Sequence, residues 1–188
     1  MLFRSSSPSF NLDILSPGLA STPWIRLASN GDNSGAGLIL AGAATSQKNW
    51  VISNQYNVNG GLEFTQTTTA GGSTIGGSPA MLIDNSGNVG VGVTPSSWAG
   101  ASKVIQIGGT SSLHLAADGD DTNITTNAYR NNAGTWLYQS TSPYRPARYN
   151  QYLGQHQWMV AAAGGTAGGT ISFTQAMTLD TSGYLMVG

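Results

Sequence analysis

The chain has 188 residues, a formal net charge of −1 and 8% charged residues, against about 25% in a typical soluble domain. A near-neutral chain gives no electrostatic basis for binding nucleic acid or an acidic membrane surface. The absence of cysteine excludes disulfides and thiolate chemistry, and no apolar run approaches the roughly 18–20 residues of a membrane span. Glycine is abundant, whereas Glu and Lys, which favour helices, are scarce. We therefore predict an all-β fold of short strands and Gly/Asn turns, without membrane insertion.

The first residues give no secretory signal, because residues 1–5 are not followed by an apolar segment of the required length. They resemble the translation of a common sequencing-adaptor end, which leaves open whether Met1 is a native start. We therefore treat residues 1–8 as a non-native or disordered start and exclude them from the fold prediction.

Short apolar runs separated by Gly, Asn and Ser turns begin after this start. Residues 36–44 form one such run that is long enough to suggest a helix. Gly35, Gly37 and Gly42 disfavour a helix, so the run predicts a packed strand.

The clearest internal signal is a segment, residues 81–92, that recurs as residues 177–188. Each copy has the pattern of a strand, a tight turn and a second strand. We expect Asp84 and Asp180 to hydrogen-bond the turn backbone, and Gly87 and Gly183 to take a positive φ.

Weaker matches run upstream in the same order: residues 25–32 match 113–120, residues 50–52 match 158–160, and residues 62–66 match 171–175. These matches predict two tandem β-rich modules, residues 9–92 and 101–188, joined by a linker at 93–100. Each module carries few large apolar residues, so a lone copy would bury little. Self-association through a shared core is therefore expected.

The repeated segment resembles the shaft repeat of phage tail-fibre proteins, in which the pattern M-x-I-D-x-S-G-N-V-G-I-G recurs. Residues 84–95 follow that pattern closely, and residues 154–158 with 173–177 resemble the body of the same repeat. The resemblance implies an intertwined homotrimeric fibre in the virion, in a tail or head fibre, that supports host attachment and contacts other tail-fibre or baseplate proteins. Shaft and receptor-binding tip both remain open, as does a fragment of a bacterial surface adhesin.

Many members of that family end in an intramolecular chaperone domain that trimerises the fibre and cleaves itself off with a Ser/Lys pair. This chain stops at Gly188 on the repeat motif, so no catalytic residue is carried over. We expect a structural protein that is not an enzyme.

The histidines and acidic residues give no alternative to that expectation. His114 matches Arg26 in the repeat, which predicts an outward strand position, and His156 is expected to pack or hydrogen-bond near Trp158. The only cluster of carboxylates lies in residues 118–121, where a polar loop is a poor setting for raising a carboxyl pKa. An exposed turn is favoured there over a Ca²⁺ site, and no catalytic residue, cofactor or metal is predicted.

One segment, about residues 121–157, has the composition of a recognition surface. Tyr and Arg anchor interfaces, and aromatic faces stack on sugar rings. Two interpretations remain open, since these side chains can fill a trimer core or contact a host glycan or protein. Pro143 and Pro146 favour a rigid exposed loop between them. The candidate contact residues are Tyr129, Arg130, Trp136, Tyr138, Tyr144, Arg145, Arg148 and Tyr149.

Overall fold

A computed structural model describes residues 27–28, 35–42, 45–116, 119–141 and 143–188. These residues form strands, turns and connecting loops and contain no helix, which confirms the all-β prediction. Within these ranges there is consequently no helix of the length and hydropathy needed to cross a membrane. The strands are β1 (Gly37–Leu40), β2 (Lys48–Asn54), β3 (Leu62–Ala70), β4 (Met81–Ile83), β5 (Val89–Val91), β6 (Lys103–Ile107), β7 (Ser111–Leu115), β8 (Asp121–Thr126), β9 (Tyr129–Arg130), β10 (Trp136–Leu137), β11 (Ala147–Tyr152), β12 (Gln155–Val160), β13 (Thr174–Leu179) and β14 (Leu185–Val187).

Twelve of these strands form one sheet, in the order β1-β2-β3-β4-β5-β6-β7-β8-β11-β12-β13-β14, and β9 pairs with β10 as a separate ribbon. Neighbouring strands are antiparallel except β5 and β6, which are parallel, with Val89 opposite Ile105 and Val91 opposite Ile107. A parallel pair requires the chain to return to the same end of the sheet, and the segment predicted as a linker, residues 93–100, lies in that return. The single sheet therefore runs through both predicted modules.

The β4–β5 hairpin turns on an aspartate and a glycine. The Asp84 carboxylate oxygen Oδ1 accepts the backbone N–H of Ser86 at 2.9 Å and that of Asn88 at 2.8 Å. Gly87 has φ 81°, a left-handed conformation that only glycine adopts without strain. The side chain of the aspartate thus takes the place of a backbone acceptor and closes the turn.

The β13–β14 hairpin has the same geometry. Asp180 Oδ1 accepts the backbone N–H of Ser182 at 2.9 Å and that of Tyr184 at 2.8 Å, and Gly183 has φ 84°. The sequence repeat between residues 81–92 and 177–188 is therefore also a repeat of backbone conformation and hydrogen bonding.

One side of the sheet, which we call the inner face, is covered by the chain's own loops. Most strand side chains on this face are buried and polar, although Tyr152 and, at the β14 edge, Met186 are exposed. The linker residue Trp98 is 4% exposed, and its indole N–H donates to Gln106 Oε1 on β6 at 3.0 Å. The other buried side chains of this face that lie on the strands include Val51, Ser53, Glu63, Thr65, Leu82, Val104, Ser112, His114, Asn123, Thr125, Asn150 and Thr178.

The predicted outward position of His114 is wrong. Its side chain is fully buried on the inner face, where Nε2 lies 3.0 Å from Ser102 Oγ and Nδ1 lies 3.3 Å from Asn123 Nδ2. The imidazole ring also stacks on Trp98, with ring centroids 5.1 Å apart. Because a strand alternates its side chains between the two faces, burying His114 turns its aliphatic neighbours on β7 outward.

The run at residues 36–44 forms a strand but not a packed one. β1 occupies Gly37–Leu40, at the edge of the sheet, and all four of its residues are exposed. The prediction of a strand is confirmed and the prediction of its burial is wrong. Residues 43–44 of the run, and the start at residues 1–8, lie outside the described residues.

Candidate functional site

The second side of the sheet, the outer face, carries a continuous row of apolar side chains. Strand pairing places one such residue on each strand from β3 to β14 in the sheet, and each is the register partner of the next. We call this row the apolar ladder. Its members are Leu62, Ile83, Val89, Ile105, Leu113, Ile124, Tyr149, Trp158, Met177 and Val187.

The ladder is a consequence of register. Register partners project from the same face of a sheet, and neighbouring strands are about 4.8 Å apart, so ten strands extend the ladder over about 43 Å. Residues two positions along each strand from the ladder widen it, including Phe64 on β3, Ile107 on β6 and Leu115 on β7. The result is an apolar surface that crosses both predicted modules.

In the isolated chain half of the ladder residues are exposed, whereas Ile83, Val89, Tyr149, Trp158 and Met177 are half-buried. Ile105, Leu113 and Ile124 are 43%, 46% and 57% exposed, and Val187 is 77% exposed. The inner face, by contrast, buries Gln106, whose side chain is 2% exposed. An antiparallel sheet with one solvated face ordinarily turns its apolar side chains to the core and its polar ones to water. Here that polarity is reversed.

Few charges interrupt the outer face. Among the strands that carry the ladder, the basic side chains on this face are Lys103 and His156, and none of these strands places a carboxylate there. Both residues lie at the margin of the ladder, two positions from Ile105 and Trp158. His156 hydrogen-bonds the hydroxyl of Tyr149 through Nδ1, which agrees with the expectation that it bonds near Trp158.

The predicted contact residues do not form one site. Trp136 and Tyr138 lie against the inner side, where Tyr138 belongs to a buried cluster with Ala128 and Ile171. The Tyr138 hydroxyl donates to the carbonyl of Ala162 at 2.9 Å. Both aromatic side chains therefore serve packing within the chain.

Arg148 is also held inside the chain. Its guanidinium carbon lies 4.9 Å from the ring centroid of Trp136 and 5.3 Å from that of Phe173, in the geometry of a cation–π contact. Burial lowers the pKa of Arg148, and the nearby Asp121 carboxylate raises it in part. The guanidinium keeps its charge at neutral pH because an arginine starts from a very high pKa.

Arg130 and Tyr129 lie close to this packing. Arg130 pairs with Asp121 at 3.5 Å, and the Tyr129 ring meets Trp98 edge-on at 5.8 Å. The predicted exposed turn at residues 118–121 is wrong for Asp121, which begins β8 and is 7% exposed. Asp118 lies outside the described residues.

Tyr144, Arg145 and Tyr149 have different surroundings from the rest. Tyr149 is a member of the apolar ladder, whereas Tyr144 and Arg145 are exposed in a loop. That loop is held at the pair itself, where Asn127 Nδ2 donates to the carbonyl of Tyr144 at 2.8 Å, and directly after it, where Pro146 is buried. The structure therefore separates an internal group, a ladder residue and an exposed Tyr–Arg pair.

The ladder residues of β6, β7 and β8 were missed as functional candidates. Their signal is present in the sequence, because Ile105-Gln106-Ile107 and Leu113-His114-Leu115 each place a polar residue between two aliphatic ones. The alternation predicts strands, but it does not say that the polar position is the one that is covered.

The described residues contain no group of three or more His, Cys, Asp or Glu side chains placed to hold a metal ion. Comparison of the chain with protein-family models, with curated proteins and with solved structures found no match.

Proposed function

We propose that the chain is a structural segment of a homotrimeric β-fibre, of the kind that phages use in tail fibres to support host attachment. In this assembly the apolar ladder of each copy is covered by the ladders of the other copies. The observation that carries the proposal is the reversed polarity of the sheet, with polar side chains buried under loops and apolar side chains exposed.

The size of the outer face supports a stable association. The ladder and one flanking row cover on the order of 600 Å², at the upper end of the largest apolar patch on a typical monomer.

The chemistry of the face suits further copies of the same chain as the occupants. A face without carboxylates, and with Lys103 and His156 only at its margin, meets no like-charge repulsion at its centre when it packs against itself. The face also has a shallow cavity of about 440 Å³, lined in part by Val89, Ile105 and Leu113. A side chain from another copy can insert into this cavity. Association of identical chains needs no partner of different composition.

The number of copies and the biological setting rest on the resemblance to phage tail-fibre shaft repeats. Those proteins are homotrimers in the virion, and the segment that carries the resemblance is the repeated hairpin with Asp84 and Asp180 at its turns. The two predicted modules, residues 9–92 and 101–188, would then be successive units along the shaft. Other tail-fibre or baseplate proteins would be the partners at its ends.

Small-angle X-ray scattering tests this proposal. The forward scattering at micromolar concentration should correspond to three times the 19.4 kDa chain mass. The particle should be longer than the roughly 55 Å that twelve strands span in one sheet. A scattering mass of one chain that does not change with concentration would contradict the proposal.

A second candidate function, recognition of a host glycan or protein, is favoured by one observation. Tyr144 and Arg145 are consecutive exposed residues in a loop that is held by the bond from Asn127 to the Tyr144 carbonyl and by the buried Pro146. An exposed tyrosine next to an exposed arginine in the sequence matches the residue types of interface anchors. This function is compatible with a fibre segment and would reside in the loop alone.

A glycan array or host-cell binding assay on the double variant Tyr144→Ala/Arg145→Ala tests recognition. We expect at least about tenfold weaker binding, since anchors of this type cost more than about 1.4 kcal/mol when truncated. The matched control is Asn59→Ala, in another exposed loop. Trp136→Ala is unsuitable because Trp136 packs inside the chain. Equal binding by the double variant and the control would exclude the loop as a recognition site.

A further inference from the structure

The two repeated hairpins differ in what lies beside their second strand. In the first hairpin, β5 is flanked by β4 on one side and by β6 on the other. In the second, β14 is flanked by β13 alone, and within the described ranges no strand pairs with its other edge. The side chains of Leu185, Met186 and Val187 are 60%, 51% and 77% exposed.

The backbone of β14 is arranged as that of β5 is. Asp84 N donates to the carbonyl of Asn88 at 2.9 Å, and Asp180 N donates to that of Tyr184 at 3.0 Å. In an antiparallel pair, residues that exchange hydrogen bonds alternate with residues whose backbone groups point to the other edge. By this alternation Leu185 and Val187 direct their N–H and C=O groups to the free edge, as Val89 and Val91 do to β6.

The occupied edge of β5 defines what fits such an edge. The carbonyl of Val91 accepts the N–H of Gly108 at 2.9 Å, and β6 runs parallel with Ile105 and Ile107 on the outer face. Its intervening Gln106 is on the inner face. The partner strand thus continues the apolar ladder on one face and presents a polar side chain on the other.

We propose that the free edge of β14 is a docking site for one further parallel strand of the β6 type, with branched aliphatic residues outward and a polar residue inward. Leu185 takes the place of Val89 and Val187 that of Val91, so the incoming strand places its two aliphatic residues opposite them. The site extends the sheet by β-augmentation, in which backbone hydrogen bonds supply affinity and alternate side chains supply specificity. This inference does not rest on trimerisation.

The test appends a copy of residues 93–107 after Gly188 in the full chain, so that the candidate strand is present at high effective concentration. Cysteine then replaces Val187 and the copied position of Ile107. Because the chain has no native cysteine, oxidation reports on this pair alone. Adjacent strands lie about 4.8 Å apart, which is within the Cα separation that a disulfide spans.

The expected result is an intrachain disulfide, seen as a mobility shift on a denaturing gel. Its yield should be within about twofold of that of a Val91→Cys/Ile107→Cys pair in the unextended chain. Two matched controls accompany this variant. In the first, the second cysteine is at the copied position of Gln106, which faces the other side of the sheet. In the second, the last seven residues of the appended segment are scrambled around the cysteine. A yield at the copied Ile107 no higher than in either control, or no disulfide, would overturn the proposal.

Discussion

Ile124→Lys is expected to separate the associated chains while each chain keeps its fold. Ile124 lies in the middle of the apolar ladder and is 57% exposed in the isolated chain, so lysine there meets water in the monomer. In the assembly the same ammonium would be buried in an apolar interface without a carboxylate nearby, at a cost of several kcal/mol for each ion. We expect association to weaken at least about 100-fold, since every 1.4 kcal/mol is tenfold.

Sedimentation velocity over a concentration series measures this change, and far-UV circular dichroism monitors the strand content. Ala133→Lys is the matched control, because it adds the same charge to an exposed loop away from the ladder. Ile124→Leu keeps the apolar character and should associate as the wild type does. An Ile124→Lys variant with the sedimentation coefficient of the wild type at all concentrations would remove the ladder from the interface.

Glu63→Ala is expected to lower the free energy of unfolding by about 2 kcal/mol, because it leaves two part-buried backbone N–H groups without an acceptor. Glu63 is fully buried on β3. Its Oε1 accepts the backbone N–H groups of Asn57 and Val58, each at 2.7 Å, and its Oε2 accepts Asn57 Nδ2 at 2.8 Å. The carboxylate therefore fixes the loop of residues 55–61 over the inner face.

Glu63→Gln is the matched control for size and shape. Its amide oxygen can still accept both backbone N–H groups, but its nitrogen faces Asn57 Nδ2, so a loss of about 1 kcal/mol is expected. Urea titrations at one fixed protein concentration measure both variants, since the stability of an associating chain depends on concentration. If alanine and glutamine cost the same, the hydrogen bonds of the carboxylate do not stabilise the loop.

The hairpins could be predicted from the sequence because their causes are local. An aspartate three residues before a glycine, between alternating apolar residues, specifies a turn in which Asp84 or Asp180 bonds the nearby backbone. The helix-poor composition predicts the all-β class for a similar reason. Such features depend on residues that are close in the chain, and the structure reproduces them in both copies of the repeat.

The sequence could not predict which face of the sheet is covered by loops, because this depends on contacts between distant segments. His114 is drawn inward by Trp98 and Ser102, which precede it by more than ten residues, and by Asn123 on the next strand. Alternation alone assigns one set of residues to each face without saying which face the loops cover. The apolar ladder and the inward position of Arg148 followed only from the sheet register, and the packing of Trp136 followed only from contacts of the β9–β10 ribbon.

The recognition hypothesis changed for the same reason. Eight aromatic and basic residues close together in the sequence suggested one surface. In the fold, the sheet and the ribbon β9–β10 place these residues in different surroundings. Trp136, Tyr138 and Arg148 pack within the chain, Tyr149 joins the ladder, and the exposed pair is Tyr144 with Arg145. A test of recognition should therefore address that pair and leave the internal residues unchanged.

Carbene footprinting of the wild type at micromolar concentration tests the central claim most directly, because it reports which side chains water reaches. If copies cover one another's outer faces, then Ile105, Leu113 and Ile124 are labelled weakly and Tyr144 strongly. In Ile124→Lys the labelling of Ile105 and Leu113 should rise to the level expected from their exposure in the isolated chain. Labelling of these two residues in the wild type that is as strong as in Ile124→Lys would contradict a covered apolar ladder.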